Sequence, residues 1–125
     1  MAERSVAEKA RVKPDATIAA VNPVPGVVES LGLPSTVTAA APEAAQIVLF
    51  FANTQGELEA QMPPLVEGLA PGAVLWVFFR KGSKAAGLDV NRDTVWALAE
   101  SLGLRPLGLL SVDETWSVFR LRPAG

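Results

Sequence analysis

The chain has no cysteine, no histidine and no tyrosine among its 125 residues. Each absence removes a chemistry. Without cysteine there is no disulfide, no thiolate nucleophile and no Cys-ligated zinc or iron–sulfur site. Without histidine the usual near-neutral general base and the commonest neutral metal ligand are missing. Acid–base work is left to Asp, Glu, Lys or an N-terminal amine, and no metal site is expected. A basic excess is lacking too. Eleven Lys and Arg stand against thirteen Asp and Glu, a formal net charge of -2. Nucleic-acid-binding domains carry a clustered basic excess, so a nucleic-acid partner is not expected. Long apolar runs are also missing. The longest, 47–52 and 73–79, fall far short of the roughly 20 residues that span a bilayer. The start, Met1-Ala2-Glu3-Arg4-Ser5, has no apolar segment of the secretory kind. The expectation is a cytoplasmic protein with no membrane partner.

What is present suits one folded unit. Half of the residues are hydrophobic and 19% are charged, enough apolar material for a core. The length matches a single domain. Residues 1–16 read as a lead-in, 17–122 as one Rossmann-like α/β domain and 123–125 as a tail. In the lead-in, Ser5-Val6-Ala7-Glu8 fits a capping box for a short helix ending before Pro14.

Thr17-Ile18-Ala19-Ala20-Val21 reads as the first strand. The turn Asn22-Pro23-Val24-Pro25-Gly26 follows, then a short helix carrying Val27, Val28 and Leu31 and stopped by Gly32. Residues 35–40, with β-branched Thr36, Val37 and Thr38, read as a second strand. Residues 46–52 and 73–79 read as strands, and their apolar runs, 47–52 and 73–79, are continuous and do not alternate. That pattern marks strands covered on both faces, as in a parallel sheet. Between them Leu58, Met62, Leu65, Val66 and Leu69 recur at helical spacing over 57–69. Pro63 and Pro64 interrupt this stretch, which predicts a kink or two short helices. A further helix starts at Asn91 as N-cap, with Asp93 in its first turn and Gly103 closing it. Residues 107–112 and 115–121 read as the last two strands, joined at Asp113-Glu114. So short a turn joins only antiparallel neighbours. The alternation predicts an α/β fold: a three-layer, mostly parallel doubly wound sheet of about six strands, ending in an antiparallel hairpin.

A parallel sheet finished by such a hairpin resembles the layout of class I methyltransferases. The run from Leu65 through Pro71-Gly72 to Val77 is similar to the segment those enzymes place before and within their fifth strand. More closely, the chain resembles a small bacterial family of uncharacterised proteins with a shortened methyltransferase-like fold. The residues that carry this are Ala7-Glu8-Lys9 with Lys13-Pro14, the run Asp89-Val90-Asn91-Arg92-Asp93-Thr94-Val95-Trp96, and Val112-Asp113-Glu114-Thr115-Trp116-Ser117. The resemblance implies a fold, and with it a place where a methyltransferase would hold S-adenosylmethionine.

That place is the edge made by the carboxyl ends of the strands. Its candidate ligand contacts are Asn22, Gly26, Asn53, Arg80, Lys81, Lys84 and Asn91. A cofactor loop needs glycines and free N–H groups. The loop 22–26 has one glycine and two prolines, and the acid expected after the second strand has only Glu43 as a candidate. Arg80, Lys81 and Lys84 could hold an anion, but a solvated basic loop is the preferred reading. Asn91 and Asp93 are explained by helix capping, and Arg92 by pairing with Asp113 or Asp89. Trp96 and Trp116 are assigned to the core ahead of an interface, and Trp76 to the core. Glu57/Glu59 and Asp113/Glu114 read as solvated pairs, and no catalytic residue is assigned.

Two functions are compatible with this reading. The preferred one is a non-catalytic binding or assembly module with no cofactor, on a degenerate methyltransferase-like fold. The alternative is a small S-adenosylmethionine-dependent methyltransferase, or an anionic small-ligand-binding protein, using the strand-end edge. An edge left open beyond the second strand would also allow a homodimer.

Overall fold

Two strands with no polar interruption set the centre of the molecule. Val48, Leu49, Phe50 and Phe51 are wholly buried, as are Leu75, Val77 and Phe78 in the neighbouring strand. Only a strand covered on both faces hides successive side chains in this way. The computed structural model describes residues 10, 12–24, 26–34, 36–52, 54–80 and 92–123. The elements run β1 (Thr17–Val21), α1 (Val27–Ser30), β2 (Thr38–Ala39), β3 (Ile47–Phe51), α2 (Gln55–Glu67), β4 (Val74–Arg80), α3 (Arg92–Ser101), β5 (Leu104–Ser111) and β6 (Trp116–Pro123). They form one six-stranded sheet in the order β2-β1-β3-β4-β6-β5. The first four strands are parallel, and β6 is antiparallel to both β4 and β5. The expected α/β sheet with its terminal hairpin is therefore present.

Alternate residues of the strands feed two separate cores. On one face Val48, Phe50, Leu75 and Val77 pack with Leu58 and Met62 of α2 and Val95 and Ala99 of α3. On the other, Leu49, Phe51, Trp76, Phe78 and Val118 pack with Val27 of α1 and with Leu31 directly after it. Fully burying one such side chain contributes about 1.5–3 kcal/mol. Aromatic geometry adds to the second core: the Phe51 and Phe78 rings stack at 4.3 Å, and Trp116 meets Phe51 edge-on at 5.7 Å. Residues expected to be a mere lead-in also contribute, since Ala16 is buried here and Val12 packs against the same cluster.

The structure corrects several expectations. The segment containing Pro63 and Pro64 is one helix, not two. Thr54 starts it by accepting the Glu57 N–H on its hydroxyl at 3.0 Å. Leu58 and Met62, one turn apart, are wholly buried against the sheet. That seating holds the helix through the prolines, and the Gly68 N–H bonds the Pro64 carbonyl at 3.1 Å beyond them. β2 is two residues long and not six. Thr38 and Ala39 find partners only in Thr17 and Ile18 of β1, so β-branched Thr36 and Val37 have no ladder to join. β5 begins at Leu104, directly after Gly103 closes the helix at φ 76°. Arg105 and Pro106 hid this start because they belong to an exposed edge. The register moves from Pro106↔Leu121 to Gly108↔Arg120, which leaves Leu107 as a bulge residue. β6 likewise runs two residues further than expected, so Pro123 is strand and not tail. The proposed capping box at Ser5 and Glu8 lies outside the described residues. Among the described residues no helix is long and apolar enough to cross a membrane.

Candidate functional site

The sheet has one topological switch point. β1 leaves through α1 toward β2 on one side, while its neighbour β3 leaves through α2 toward β4 on the other. The two connections part at the carboxyl ends of β1 and β3, the place where open α/β sheets take ligands in a crevice. Asn22 directly follows β1, and Gly26 directly precedes α1.

The rim is a tight turn. Asn22 follows the last residue of β1 at φ 55°, and Gly26 precedes α1 at φ 86°. Asn tolerates the left-handed region better than most side chains, and Gly enters it freely. A Cβ built on Gly26 would meet nothing within 4 Å. Asn22 Nδ2 donates to Gln61 Oε1 of α2 at 2.6 Å, half-buried. This bond ties the turn after β1 to α2 and uses one of the two N–H groups of the Asn22 amide. Thr54, on the β3 side, commits its hydroxyl to capping α2. Gln61 was not anticipated, since nothing local to it marks a residue that pairs 39 positions away.

The remaining candidates disperse. Arg80 ends β4 and holds its guanidinium 5.3 Å from the Trp116 ring centroid, a cation–π contact. Trp116 is only 4% exposed. Trp96 is half-buried and stacks on Phe119 at 5.9 Å. Arg92 Nε meets Asp93 Oδ1 at 3.7 Å, with both side chains mostly exposed, and not Asp113, one of its two expected partners; the other, Asp89, lies outside the described residues. Adjacent residues on an exposed helix start reach each other without ordering a distant loop. Asp113 serves its own turn instead, accepting the Thr115 and Trp116 N–H groups at 2.7 Å each on Oδ1. Glu43 does not lie after β2 at the crevice. Its Cβ is 3.9 Å from where a Cβ on Gly68 would stand, beside the far end of α2. Asn53, Lys81, Lys84, Asp89 and Asn91 lie outside the described residues.

These residues fit a nucleoside in part. The positive φ of Asn22 and Gly26, with no described atom within 4 Å of a Cβ on Gly26, suits backbone contact with a ligand. No acid among the described residues stands at the end of β2 to clamp ribose hydroxyls. Nor do the described residues hold three metal-ligating side chains together.

No protein-family model and no curated protein matches the chain. Solved structures do. A ribosomal protein L11 methylase from Lactobacillus delbrueckii subsp. bulgaricus is similar at a TM-score of 0.59 and 10% identity, covering 94% of this chain and 74% of that one. A variant of the 16S rRNA (adenine(1408)-N(1))-methyltransferase from Catenulisporales acidiphilia, solved with cosubstrate SAM, is similar at 0.54 and 12%, covering 94% and 89%. A TehB-like SAM-dependent methyltransferase from Corynebacterium glutamicum is similar at 0.51 and 10%, covering 93% and 84%. At such identities the likeness shows the fold, which is that of class I S-adenosylmethionine-dependent methyltransferases.

Proposed function

We propose that this chain is a small-ligand-binding protein on the methyltransferase fold, and that S-adenosylmethionine or a close adenosyl relative occupies the β1/β3 crevice. The observation that carries this is the switch point. It sets the left-handed turn of Asn22 and Gly26 where such a sheet takes its ligand. The neighbouring structure solved with cosubstrate SAM supports the choice of ligand. When bound, S-adenosylmethionine supplies a methyl group on a sulfonium. The chain's own part is positional: Asn22 and Gln61 hold the walls at a fixed separation, and the Gly26 turn leaves the nucleoside room. The crevice offers no histidine, cysteine or tyrosine to act as a base, so the proposal is one of binding and not of a named reaction.

A second reading, a cofactor-free binding or assembly module, is favoured by one specific observation. Polar groups on the rim already have intramolecular partners, since Asn22 donates to Gln61 and Thr54 Oγ1 accepts from its own helix. Isothermal titration calorimetry with S-adenosylmethionine and S-adenosylhomocysteine separates the two. Micromolar binding of either supports the ligand-binding protein. No heat at millimolar ligand leaves the assembly module.

A further inference from the structure

A row of three residues crosses the sheet far from that crevice. Trp76 on β4, Arg120 on β6 and Gly108 on β5 stand side by side in register. Directly paired residues share a face of the sheet, here the one that also carries α1. A Cβ on Gly108 would lie 3.0 Å from Arg120 Nη2. The glycine is therefore what lets the guanidinium lie back across β5. In that position Arg120 Nε is buried and has no hydrogen-bond partner among the described residues. Burial also lowers the Arg120 pKa from its ordinary value, yet a guanidinium stays charged at any physiological pH. A cation held in this way, with no anion paired to it among the described residues, is a cost that a bound anion would offset.

A cavity of about 340 Å³ opens beside it. Its apolar wall includes Trp76, Ile47, Val74 and Leu107, and its polar side chains are Arg120, Lys13 and Gln46. Gln46 accepts the Thr17 N–H on Oε1 at 3.2 Å, which leaves its NH₂ group as the donor end. Among the described residues, every polar side chain lining the cavity thus offers a proton, and neither Asp nor Glu lines it. A second cavity of about 300 Å³ shares Gly72 with the first and carries Arg105 and Arg122. Those two arginines face each other directly across β5 and β6. Like charges so placed repel unless something negative lies between or beside them. Four cations therefore gather at one end of a chain whose net charge is -2.

We propose that this amino-end cavity is a binding site for an aromatic phosphate ester, with the ring against Trp76 and the phosphate on Arg120 and Lys13. The volume lies in the range of small-ligand pockets, and a planar guanidinium matches two phosphate oxygens at once. A dianion suits four cations better than a carboxylate does. The site is at the amino ends of β3 and β4, whereas the nucleoside crevice is at the carboxyl ends of β1 and β3, so neither proposal depends on the other.

The test is isothermal titration of the whole chain with 1-naphthyl phosphate. Saturable one-to-one binding is expected, weakened at least about tenfold in Arg120→Gln and several-fold in Lys13→Gln. Inorganic phosphate and 1-naphthol should each bind at least about tenfold more weakly than the ester, and S-adenosylmethionine should not displace it. Lys13 is exposed, so K13Q keeps the experiment decisive even should R120Q fail to fold. Absence of saturable binding would overturn the proposal. So would unchanged affinity in K13Q and a folded R120Q, inorganic phosphate matching the ester, or displacement by S-adenosylmethionine.

Discussion

Replacing Pro64 by alanine should stabilise this protein. Pro64 sits in the interior of α2, is exposed, and has no N–H to give to the Ala60 carbonyl. A proline in a helix interior is about 3 kcal/mol less favourable than alanine. The residue before a proline is also pushed away from helical angles, so Pro63 gains as well. Against this, proline stiffens the unfolded chain, which is worth roughly 0.4–1 kcal/mol and is lost in the variant. The net expectation is about 2 kcal/mol. With an unfolding entropy of roughly 2.1 cal/mol/K per residue over the chain, that is a rise in Tm of about 8 °C. Removing an exposed ring leaves no core cavity to subtract. Differential scanning calorimetry reads the shift directly, with urea unfolding as a check on the free energy. An unchanged or lowered Tm would mean that α2 is not continuous through the prolines, and the reasoning would fail.

Other substitutions probe the rest of the fold. Asp113→Ala leaves the Thr115 and Trp116 N–H groups without their acceptor and should cost about 1–3 kcal/mol in urea unfolding. Asp113→Asn keeps an acceptor and should recover most of that, and equal stability of all three proteins would remove the turn's assigned role. Phe50→Ala empties the core beneath α2 and should cost about 3–5 kcal/mol, whereas a cost below 1 would show the site to be loosely packed. Pro106 and the Leu107 bulge interrupt the long edge strand β5, on which Leu107 and Leu109 are 42% and 44% exposed. Such features blunt edge-to-edge pairing. Pro106→Val should therefore raise the mass seen by light scattering at high concentration, and a mass equal to the parent's would show that the proline protects nothing. The other edge, β2, offers only Thr38 and Ala39, a short ladder for the homodimer that an open edge there would allow.

The parts of the fold legible in sequence are those whose burial is written locally. β3 and β4 announce themselves as unbroken apolar runs, and the stripes on α2 and α3 recur at helical spacing. Gly32 and Gly103 mark helix ends, and both adopt positive φ. What was not legible depends on neighbours. The length of β2 is set by how far β1 runs beside it, not by its own β-branched residues. The continuity of α2 comes from Leu58 and Met62 being held by the sheet, which local proline rules do not see. The start of β5 was hidden because an edge strand needs no apolar alternation. The candidate site divides in the same way. Asn22 and Gly26 are readable as a turn after a strand, but the Gln61 partner of Asn22 is a tertiary contact. Arg80 and Trp116 meet through the β4–β6 register. Arg120 carries no local signal, since its place beside Gly108 and Trp76 exists only once a bulge has fixed the pairing of β5 with β6.

The central claim is that the carboxyl-end crevice is a ligand seat, and chemical-shift mapping tests it most directly. Titrating ¹⁵N-labelled protein with S-adenosylmethionine should move the amide signals of Asn22, Gly26 and Thr54, with Gln61 following through its bond to Asn22. Signals of Lys13, Gly108 and Arg120 should stay in place. No shifts at millimolar ligand, or shifts confined to the amino end, would contradict the account.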